Sequence, residues 1–389
     1  MHAAAYSCKI PRQMNTPELR KQCAQRLSAG TTATGRMTAF VGLDGFVDEI
    51  LHVVDKRDSV ESFQRLTTIS KLAGRLAAAA GKSTNIELVS RVTKLGGNGP
   101  IMANALASLG LKVTYLGNLG WPNLHPVFAD FAKCAEVYSI AEPGHTDALE
   151  FDDGKIMLGK ISSLKDVNWE NIQLRFGRDK FADNFSTADL VGFVNWTMLS
   201  HMDEIWEAAL KEVCPTFKGR RRTLFFDLAD PEKREPADIL HALELIVKFE
   251  KYFNVILGLN EKEAYEVGAV LELPTDDRSQ DGLCKLALGI NRRLPISTLV
   301  IHPVSYALAA SGGDVSLVEG PFTAKPYITT GAGDHFNSGF CLGKLLGFDN
   351  TLSLLTGVAT SGHYVRTAQS PTISDLAKML ESWPKESEG

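Results

Sequence analysis

The chain has 389 residues, a formal net charge of −5, 44% hydrophobic residues and 22% charged residues. These are the proportions of a globular protein, and the length suits one large α/β domain that carries a smaller accessory part. The negative net charge argues against a nucleic-acid-binding surface.

The six cysteines are scattered, with no C-x-x-C pair and no histidine arranged beside them as a metal site. We interpret them as the reduced thiols of a cytoplasmic protein. No stretch reaches the roughly 20 apolar residues that span a bilayer, and the first residues lack the apolar core of a secretory signal. The sequence therefore predicts a cytoplasmic protein with no membrane segment.

In chain order, apolar runs rich in β-branched residues alternate with segments of helical spacing, which predicts a mainly parallel sheet covered by helices on both faces. The predicted strands are residues 38–43, 86–92, 112–117, 190–195, 223–227, 255–259 and 298–302. The predicted helices are residues 61–80, 100–109, 202–213, 236–249, 261–267, 281–291, 334–346 and 352–365. Two segments, residues 47–54 and 147–161, break this alternation and read as extended, partly polar pieces.

A glycine cluster at residues 96–100, GGNGP, stands between a β-rich run and an alanine-rich helical stretch. A strand-like run, residues 111–119, follows, so the three pieces predict a strand, helix, strand module. Glycines at such a junction let a small ligand touch the backbone, although tight turns use the same residues. From this segment alone, a ligand site and a plain turn are equally open.

The most informative segment is residues 329–336, TTGAGDHF, which opens an apolar helix late in the chain. The first N–H groups of a helix lack intrahelical partners, and the small residues Gly331, Ala332 and Gly333 let a phosphate approach them. Asp334 follows directly, placed to take a proton from an attacking hydroxyl. The alternative is a glycine-rich turn in which Asp334 only caps the helix. An anion site beside a carboxylate is what phosphoryl transfer to an alcohol requires.

Both glycine segments, at this separation, resemble the signatures of the PfkB family of carbohydrate kinases, which have a ribokinase-like fold. The first signature covers residues 96–110, and the second, which is highly specific, covers residues 330–340. A third match is the Asn-x-x-Glu pattern of Asn260 and Glu263 after an apolar run. The resemblance extends over roughly residues 38–369.

This resemblance implies an α/β fold with a mainly parallel central sheet, helices on both faces and a small β lid over the substrate. The lid is expected at about residues 47–58 and 145–165, within a kinase domain of residues 38–375. Residues 1–37 are predicted as an N-terminal extension and residues 376–389 as a C-terminal tail. Lid strands can pair through exposed edges, so a homodimer formed through the lid is one expectation.

The resemblance also implies an ATP-dependent phosphotransferase that acts on an alcohol group of a sugar or related small molecule. Asp334 is then the general base, and the Gly331–Gly333 loop is the anion hole. The expected donors in that hole are the backbone N–H groups of Ala332, Gly333 and Asp334. Two alternatives stay open: a nucleoside kinase of the same fold, and a catalytically silent regulator that binds a sugar or a nucleotide.

Mg²⁺ prefers phosphate oxygens and water over protein ligands, so one carboxylate in its outer shell suffices. By resemblance Glu263 fills that role through a water molecule, and Asn260 and Thr330 contact the nucleotide. For an isolated Asn-x-x-Glu, the alternative is a capping box at an ordinary helix start. Asp227 ends a strand at the edge where open α/β sheets bind ligands, and it could face substrate or nucleotide phosphates.

Sugar hydroxyls are commonly held by carboxylates and amides, and two aspartates, Asp44 and Asp48, follow the first predicted strand. The family places a substrate-binding aspartate here, and we favour Asp44 because Gly45 behind it would relieve crowding. Asp48 is the alternative, or a solvated lid residue. Gly97 and Asn98 are expected to reach the same hydroxyls from the second predicted strand.

Three positions depart from the usual family pattern. Thr329 stands where an aspartate is common, which leaves open whether a monovalent cation binds there. Residues 300–304 lack the glycine usually found after this strand, so the loop that borders the nucleotide base is expected to differ. His335 stands where threonine or serine is commoner, and we interpret it as a bystander.

Overall fold

The computed structural model describes residues 15–384, which form two β-sheets and their covering helices. The strands are β1 Thr38–Leu43, β2 Phe46–Arg57, β3 Phe63–Arg65, β4 Leu88–Gly96, β5 Lys112–Gly117, β6 Glu136–Ser139, β7 Gly144–Phe151, β8 Gly154–Lys160, β9 Leu190–Phe193, β10 Arg222–Asp227, β11 Phe253–Leu259, β12 Thr298–Ile301, β13 Tyr306–Ser311 and β14 Asp314–Glu319. The helices are α1 Pro17–Thr34, α2 Ile69–Ala78, α3 Asn98–Ser108, α4 Trp169–Asn171, α5 Arg178–Thr187, α6 Met202–Ala208, α7 Pro236–Phe249, α8 Glu261–Val270, α9 Gln280–Arg293, α10 Ala332–Leu345, α11 Asn350–Thr367 and α12 Ile373–Glu381.

The larger sheet has nine strands in the order β14-β13-β12-β11-β10-β9-β1-β5-β6. All neighbours from β12 to β6 are parallel, whereas β13 and β14 form an antiparallel hairpin at one edge. The parallel strands are apolar and largely buried, because helices cover both faces of the sheet. The predicted mainly parallel sheet with helices on both sides is therefore confirmed.

Successive residues of the central strands point to opposite faces and join two separate buried clusters. Phe40 and Leu224 belong to the cluster under α5, α6, α7, α8 and α9. Val41 and Phe225 belong to the cluster under α1, α3, α10, α11 and α12. The helices α3 and α10, which follow the two glycine signatures, therefore pack against each other on the same face.

The second sheet, formed by β2, β3, β4, β7 and β8, is the predicted small lid. The strand β2 lies inside it, antiparallel to β3 and β4 and parallel to β7. A small apolar core that includes Val53, Leu72 and Phe151 lies between this sheet and α2. Because β2 follows β1 after two residues and β4 leads directly into α3, the lid is joined to the large domain beside the carboxyl end of β1.

Two predicted elements differ from the structure in the lid. The predicted strand 86–92 corresponds to β4, which belongs to the lid rather than to the alternating core, and its residues are mostly exposed. The predicted helix 61–80 begins only at Ile69, because residues 63–65 pair with β2 and the side chain of Thr68 caps α2.

The two ends of the described chain pack against each other. The helix α1 contacts α12, and its residues Cys23, Ala24 and Leu27 are buried in the same cluster as α3 and α10. Residues 17–34 of the predicted extension therefore contribute to the core, and the boundary predicted at 375 falls inside α12. No helix within residues 15–384 combines the length and apolar character needed to cross a membrane.

Candidate active site

The predicted site residues converge at the carboxyl edge of the parallel strands. Asp44 follows β1, Asp227 ends β10 and Asn260 follows β11. The N-termini of α3 and α10 meet at the same edge, because the Asn98 side-chain amide donates to Asp334 Oδ1 at 3.1 Å. Open α/β sheets bind ligands at this edge, so the fold assembles the residues where a ligand site is expected.

The loop before α10, residues 329–333, is held in a tight turn around Gly331. Gly331 is the N-cap of α10 with a left-handed backbone, φ 88°. A Cβ at this position would lie 3.2 Å from Ile101 and from the hydroxyl of Tyr364, so both the conformation and the space suit glycine. We call residues 329–333 the anion loop.

Backbone N–H groups of the anion loop and of Asp334 differ in whether they are already paired. The Ala332 N–H donates to the Thr329 carbonyl oxygen at 3.1 Å, so this predicted donor is taken up inside the loop. The N–H groups of Gly331 and Gly333 have no acceptor in the described part of the chain, whereas the N–H of Asp334 faces its own carboxylate. Unpaired N–H groups at a helix N-terminus suit a bound anion.

Asp334 is the third residue of α10 and is only 6% exposed. Burial raises the pKa of its carboxyl from 3.8 to about 8, and the negative charges of Asp44 and Glu263 add to this effect. The hydrogen bond from Asn98 works in the opposite direction, because it stabilises the carboxylate. A buried carboxyl with a pKa near neutrality, beside a potential anion site, suits proton transfer.

Asp44, the favoured sugar contact, is fully buried and already has three donors. Its Oδ2 accepts the N–H of Asn98 at 3.0 Å and the side chain of Asn195 at 2.7 Å, and its Oδ1 accepts the N–H of Gly99 at 2.7 Å. Asp44 therefore accepts the first two N–H groups of α3. It caps this helix in the way that an N-cap side chain does, although it belongs to another part of the chain. Burial raises its pKa to about 6.

Asp48 lies in β2 at the base of the lid and is 7% exposed, so it is not a solvated lid residue. Its register partners are Lys94 in β4 and Thr146 in β7. A Cβ at Gly96 would approach its carboxyl group to 2.4 Å, so the glycine makes room for this side chain. Asp48 thereby lies directly beside the segment that contains Gly97 and Asn98.

Asp227 and Glu263 form a buried acidic pair next to Asp334. Burial and the neighbouring charge of Glu263 raise the pKa of Asp227 well above its usual range, and burial also raises the pKa of Glu263. Asp227 accepts from Asn337 at 3.0 Å, and Glu263 accepts the N–H groups of Asp230 and Asn260 at 2.9 and 2.8 Å. The side chain of Asn260 in turn accepts from the Glu263 N–H, so the alternative capping box is present at the start of α8.

This acidic cluster fits a magnesium ion held mainly by other ligands. No three acidic, histidine or cysteine side chains within residues 15–384 lie as a direct metal-binding set. The cluster nevertheless contains hard oxygen donors, an excess of buried negative charge, and the buried Oδ1 of Asn337, which has no hydrogen-bond partner. Mg²⁺ that retains water and phosphate ligands suits such a site.

A cavity of about 390 Å³ adjoins the anion loop on the side away from the lid, and its size suits a small ligand. His302, Tyr306 and Phe322 line it together with Asn260 and Gly333. His302 is half-buried, desolvation lowers its pKa to about 4, and its ring would lie 3.1 Å from a Cβ at Gly333. The predicted nucleotide contact Asn260 thus faces the cavity that meets the anion loop.

Several residues at this edge were not predicted. Asn195 has a left-handed backbone, φ 62°, and binds Asp44, whereas Asn337 binds Asp227. Arg234 donates to three carbonyl oxygens of residues 196–199 and so fixes the loop after β9. Asn337 lies inside the quoted signature, while Asn195 and Arg234 are single residues that have no motif to mark them.

The family of the chain follows from comparison with known proteins. The family model described as prokaryotic ketohexokinase matches residues 13–383. The chain belongs to the prokaryotic ketohexokinase family. As a member of this family the protein is a carbohydrate kinase, which is what the two glycine signatures predict.

Individual relatives agree with this assignment. A ketohexokinase from Haloferax volcanii is 28% identical over 337 residues, which cover 86% of this chain and 88% of the relative. Arabidopsis thaliana ribokinase, solved with ribose and ATP, has a TM-score of 0.63 at 16% identity and covers 89% of this chain and 98% of its own. A Methanocaldococcus jannaschii nucleoside kinase has a TM-score of 0.56 at 15% identity, with coverage of 89% and 98%. These two structures establish the ribokinase-like fold.

Proposed function

We propose that this kinase transfers the γ-phosphoryl group of ATP to a hydroxymethyl group of a ketohexose. The observation that carries the proposal is the buried Asp334 with its raised pKa, at the start of a helix whose first N–H groups are unpaired. The family description and the Haloferax volcanii ketohexokinase support a ketohexose as the sugar. The Arabidopsis ribokinase complex supports ATP as the donor.

In the proposed reaction Asp334 removes the proton of the attacking hydroxyl as its oxygen bonds to the γ-phosphorus, while the bond from that phosphorus to the bridging oxygen breaks and ADP leaves. Asn98 orients the carboxylate through its hydrogen bond to Oδ1. The N–H groups of Gly331 and Gly333 would stabilise the negative charge on the transferring phosphoryl oxygens. Phosphoryl transfer depends mainly on such positioning and charge stabilisation, so no covalent intermediate is needed.

Asp48 is our proposed contact to the sugar hydroxyls, together with Gly97 and the side chain of Asn98. Asp44 is better suited to a positioning role, because its two oxygens already accept three N–H groups. The cavity lined by Asn260 and His302 is proposed to hold the nucleotide, with Thr330 beside its phosphates.

Glu263 and Asp227 are the residues that would hold Mg²⁺, through water molecules and the ATP phosphates. The ion would offset negative charge on the phosphates and on the buried acidic cluster. Within the cluster, Asn260 and Asp230 keep the Glu263 carboxylate oriented through their N–H groups.

ADP production tests the proposal. The protein is incubated with MgATP and fructose, other ketohexoses, aldohexoses, ribose, hexose phosphates or nucleosides. We expect the highest kcat/KM with a ketohexose. Preference for a nucleoside would favour the nucleoside kinase alternative. No turnover with any of them, together with thermal stabilisation by a sugar or a nucleotide, would favour the silent regulator.

We also propose that two copies associate through their lids. The lid exposes large apolar side chains on the strands β4 and β8, which lie at its edges, where a strand of another copy can pair. They are Leu88, Val92, Met157 and Leu158, between 41% and 53% exposed. Sedimentation equilibrium tests this: a dimer is expected, a Val92→Glu variant should shift it toward monomer, and a monomeric wild type at every concentration would exclude it.

A further inference from the structure

His335, the residue after the catalytic aspartate, is buried and fully hydrogen-bonded. Its side chain is 2% exposed. Nδ1 lies 2.7 Å from the carbonyl oxygen of Gly331, and Nε2 lies 2.9 Å from the hydroxyl of Ser370. The ring stacks on Tyr364 with centroids 3.6 Å apart and an angle of 12° between the planes. These contacts make His335 part of the structure that supports the loop.

The partners of His335 determine its protonation. A carbonyl oxygen can only accept, so Nδ1 carries the hydrogen that is donated to Gly331. Burial lowers the pKa of His335 to about 4, so the ring is neutral near pH 7 and Nε2 accepts from the Ser370 hydroxyl. Ser370 itself accepts from Asn104 Nδ2 at 3.3 Å. The result is a directed chain of hydrogen bonds from Asn104 through Ser370 and His335 to Gly331.

This chain of hydrogen bonds connects the two parts of the catalytic site. Asn104 lies in α3, the helix whose first residue, Asn98, binds Asp334. Gly331 lies in the anion loop. Because Ser370 belongs to the segment after α11, three separate pieces of the chain are tied together behind the loop.

Tyr364 completes the contacts behind the loop. Its hydroxyl donates to the Thr330 carbonyl oxygen at 3.0 Å. In a planar trans peptide the C=O and N–H groups point in opposite directions. The bond from Tyr364 to Thr330 therefore turns the Gly331 N–H, which has no acceptor in the described part of the chain, away from Tyr364. The next carbonyl group, that of Gly331, accepts from Nδ1 of His335 at 2.7 Å and also from the backbone N–H of His335 at 3.1 Å.

We propose that His335 is a positioning residue that, with Ser370 and Tyr364, holds the anion loop in the geometry required for phosphoryl transfer. This inference rests on the proposed function, because it assigns the phosphate to the anion loop. His335 acts from behind the loop and would not touch the phosphate or the sugar. Its removal should therefore affect turnover and leave sugar binding largely intact.

Steady-state kinetics of His335→Ala and His335→Asn test the proposal. Asparagine places an N–H at the position of Nδ1 and can keep the side-chain bond to Gly331, whereas alanine keeps only the backbone bond. We expect His335→Ala to lower kcat by about 10- to 100-fold, the effect of a small misplacement in an active site, with the sugar KM little changed. His335→Asn should recover most of the lost kcat. Ser370→Ala, which removes only the partner of Nε2, should cause a smaller loss.

Two results would overturn the proposal: unchanged kcat in His335→Ala, or equal losses in His335→Ala and His335→Asn. If both variants fail to fold, Tyr364→Phe decides, because it keeps the stacked ring and removes only the hydroxyl bond to Thr330. It should lower kcat while the variant stays folded with only a small decrease in melting temperature, and an unchanged kcat would overturn the proposal. Asp334→Asn separates this question from the proposed function: retained turnover there would refute the base itself, whatever His335 does.

Discussion

Asp334 has to be ionised to accept a proton, and its burial opposes ionisation. Its pKa of about 8 applies to the protein without ligands. A magnesium ion near the acidic cluster would stabilise the carboxylate and lower this pKa. In the proposed reaction a larger fraction of Asp334 would then be ionised, and able to accept a proton, once MgATP has bound.

The pH dependence of the reaction should report this change. We expect kcat/KM at low MgATP to rise as the pH increases through about 8, because only the ionised form of Asp334 is active. At saturating MgATP the same rise should occur at lower pH. Initial rates over a pH series, measured once at low MgATP and once at saturating MgATP, give the two pH profiles. Coincident profiles would contradict coupling between the ion and Asp334.

Replacing Asp334 by asparagine removes the base and keeps the shape of the side chain. We expect turnover to fall by about 10²- to 10⁴-fold, the usual contribution of a general base. Nucleotide affinity should stay close to that of the wild type, which isothermal titration with ADP measures. Near-normal turnover in Asp334→Asn would rule out its role as the base.

Replacing Asp44 should mainly lower stability, whereas replacing Asp48 should mainly weaken sugar binding. In Asp44→Asn the new amide group would face N–H donors, which should lower the free energy of unfolding by about 1–3 kcal/mol. In Asp48→Asn, stability should change little and the sugar KM should rise by about tenfold or more, through loss of a charged hydrogen bond. Urea unfolding and sugar kinetics of both variants test this. The reverse pattern would restore Asp44 as the sugar contact.

At the scale of the elements, the anion loop can be tested against a second glycine with the same backbone conformation. Gly331 and Gly347 both have a left-handed backbone, φ 88° and 72°, but a Cβ at Gly347 would meet nothing within 4 Å. Gly331→Ala and Gly347→Ala should each lower the free energy of unfolding by about 1–2 kcal/mol, the cost of that conformation. Only Gly331→Ala should also lower kcat, by about tenfold or more. Equal kcat values in the two variants would argue against the loop as an anion site.

The bounds of an element were predicted closely where its own residues define where it begins and ends. The strand 112–117 and the helix 236–249 have the predicted bounds, because a buried apolar run defines the first and a proline at the first helical position defines the second. The hairpin β13–β14 was not predicted, although Gly312 and Gly313 between two apolar runs are a hairpin signal. The strand β4 was assigned to the wrong sheet, since its pairing with β2 depends on residues far apart in the chain.

The candidate site could be read from the sequence where one segment contains both the proposed ligand groups and their support. Residues 331–334 are of this kind, because glycines, helix start and carboxylate are contiguous. The contacts of Asp44, Asn195 and His335 could not be read in this way, because each depends on a partner from another element. For Asp44 the decisive partners are the N–H groups of α3, and for His335 the decisive partner is Ser370.

At the scale of the whole molecule, the buried acidic cluster makes stability depend on pH. Burial raises the pKa of Asp44, Asp227, Glu263 and Asp334. Each group holds its proton in the folded state at pH values where the unfolded chain has already released it. The folded state then binds more protons, so the free energy of unfolding decreases as the pH rises. For Asp334 this decrease occurs between pH 3.8 and about pH 8.

A comparison of the wild type with Asp334→Asn isolates this contribution from all other titrating groups. Asparagine does not ionise, so the variant should be more stable than the wild type at pH 8, and the difference should shrink as the pH falls toward 3.8. Thermal or urea unfolding across this range measures the difference. MgATP should stabilise the wild type more at the alkaline end, because the ion offsets the charge that destabilises the folded state there. A difference that does not vary with pH would mean that Asp334 titrates normally in the folded protein, and the kinase would then need another explanation for how its base is adjusted.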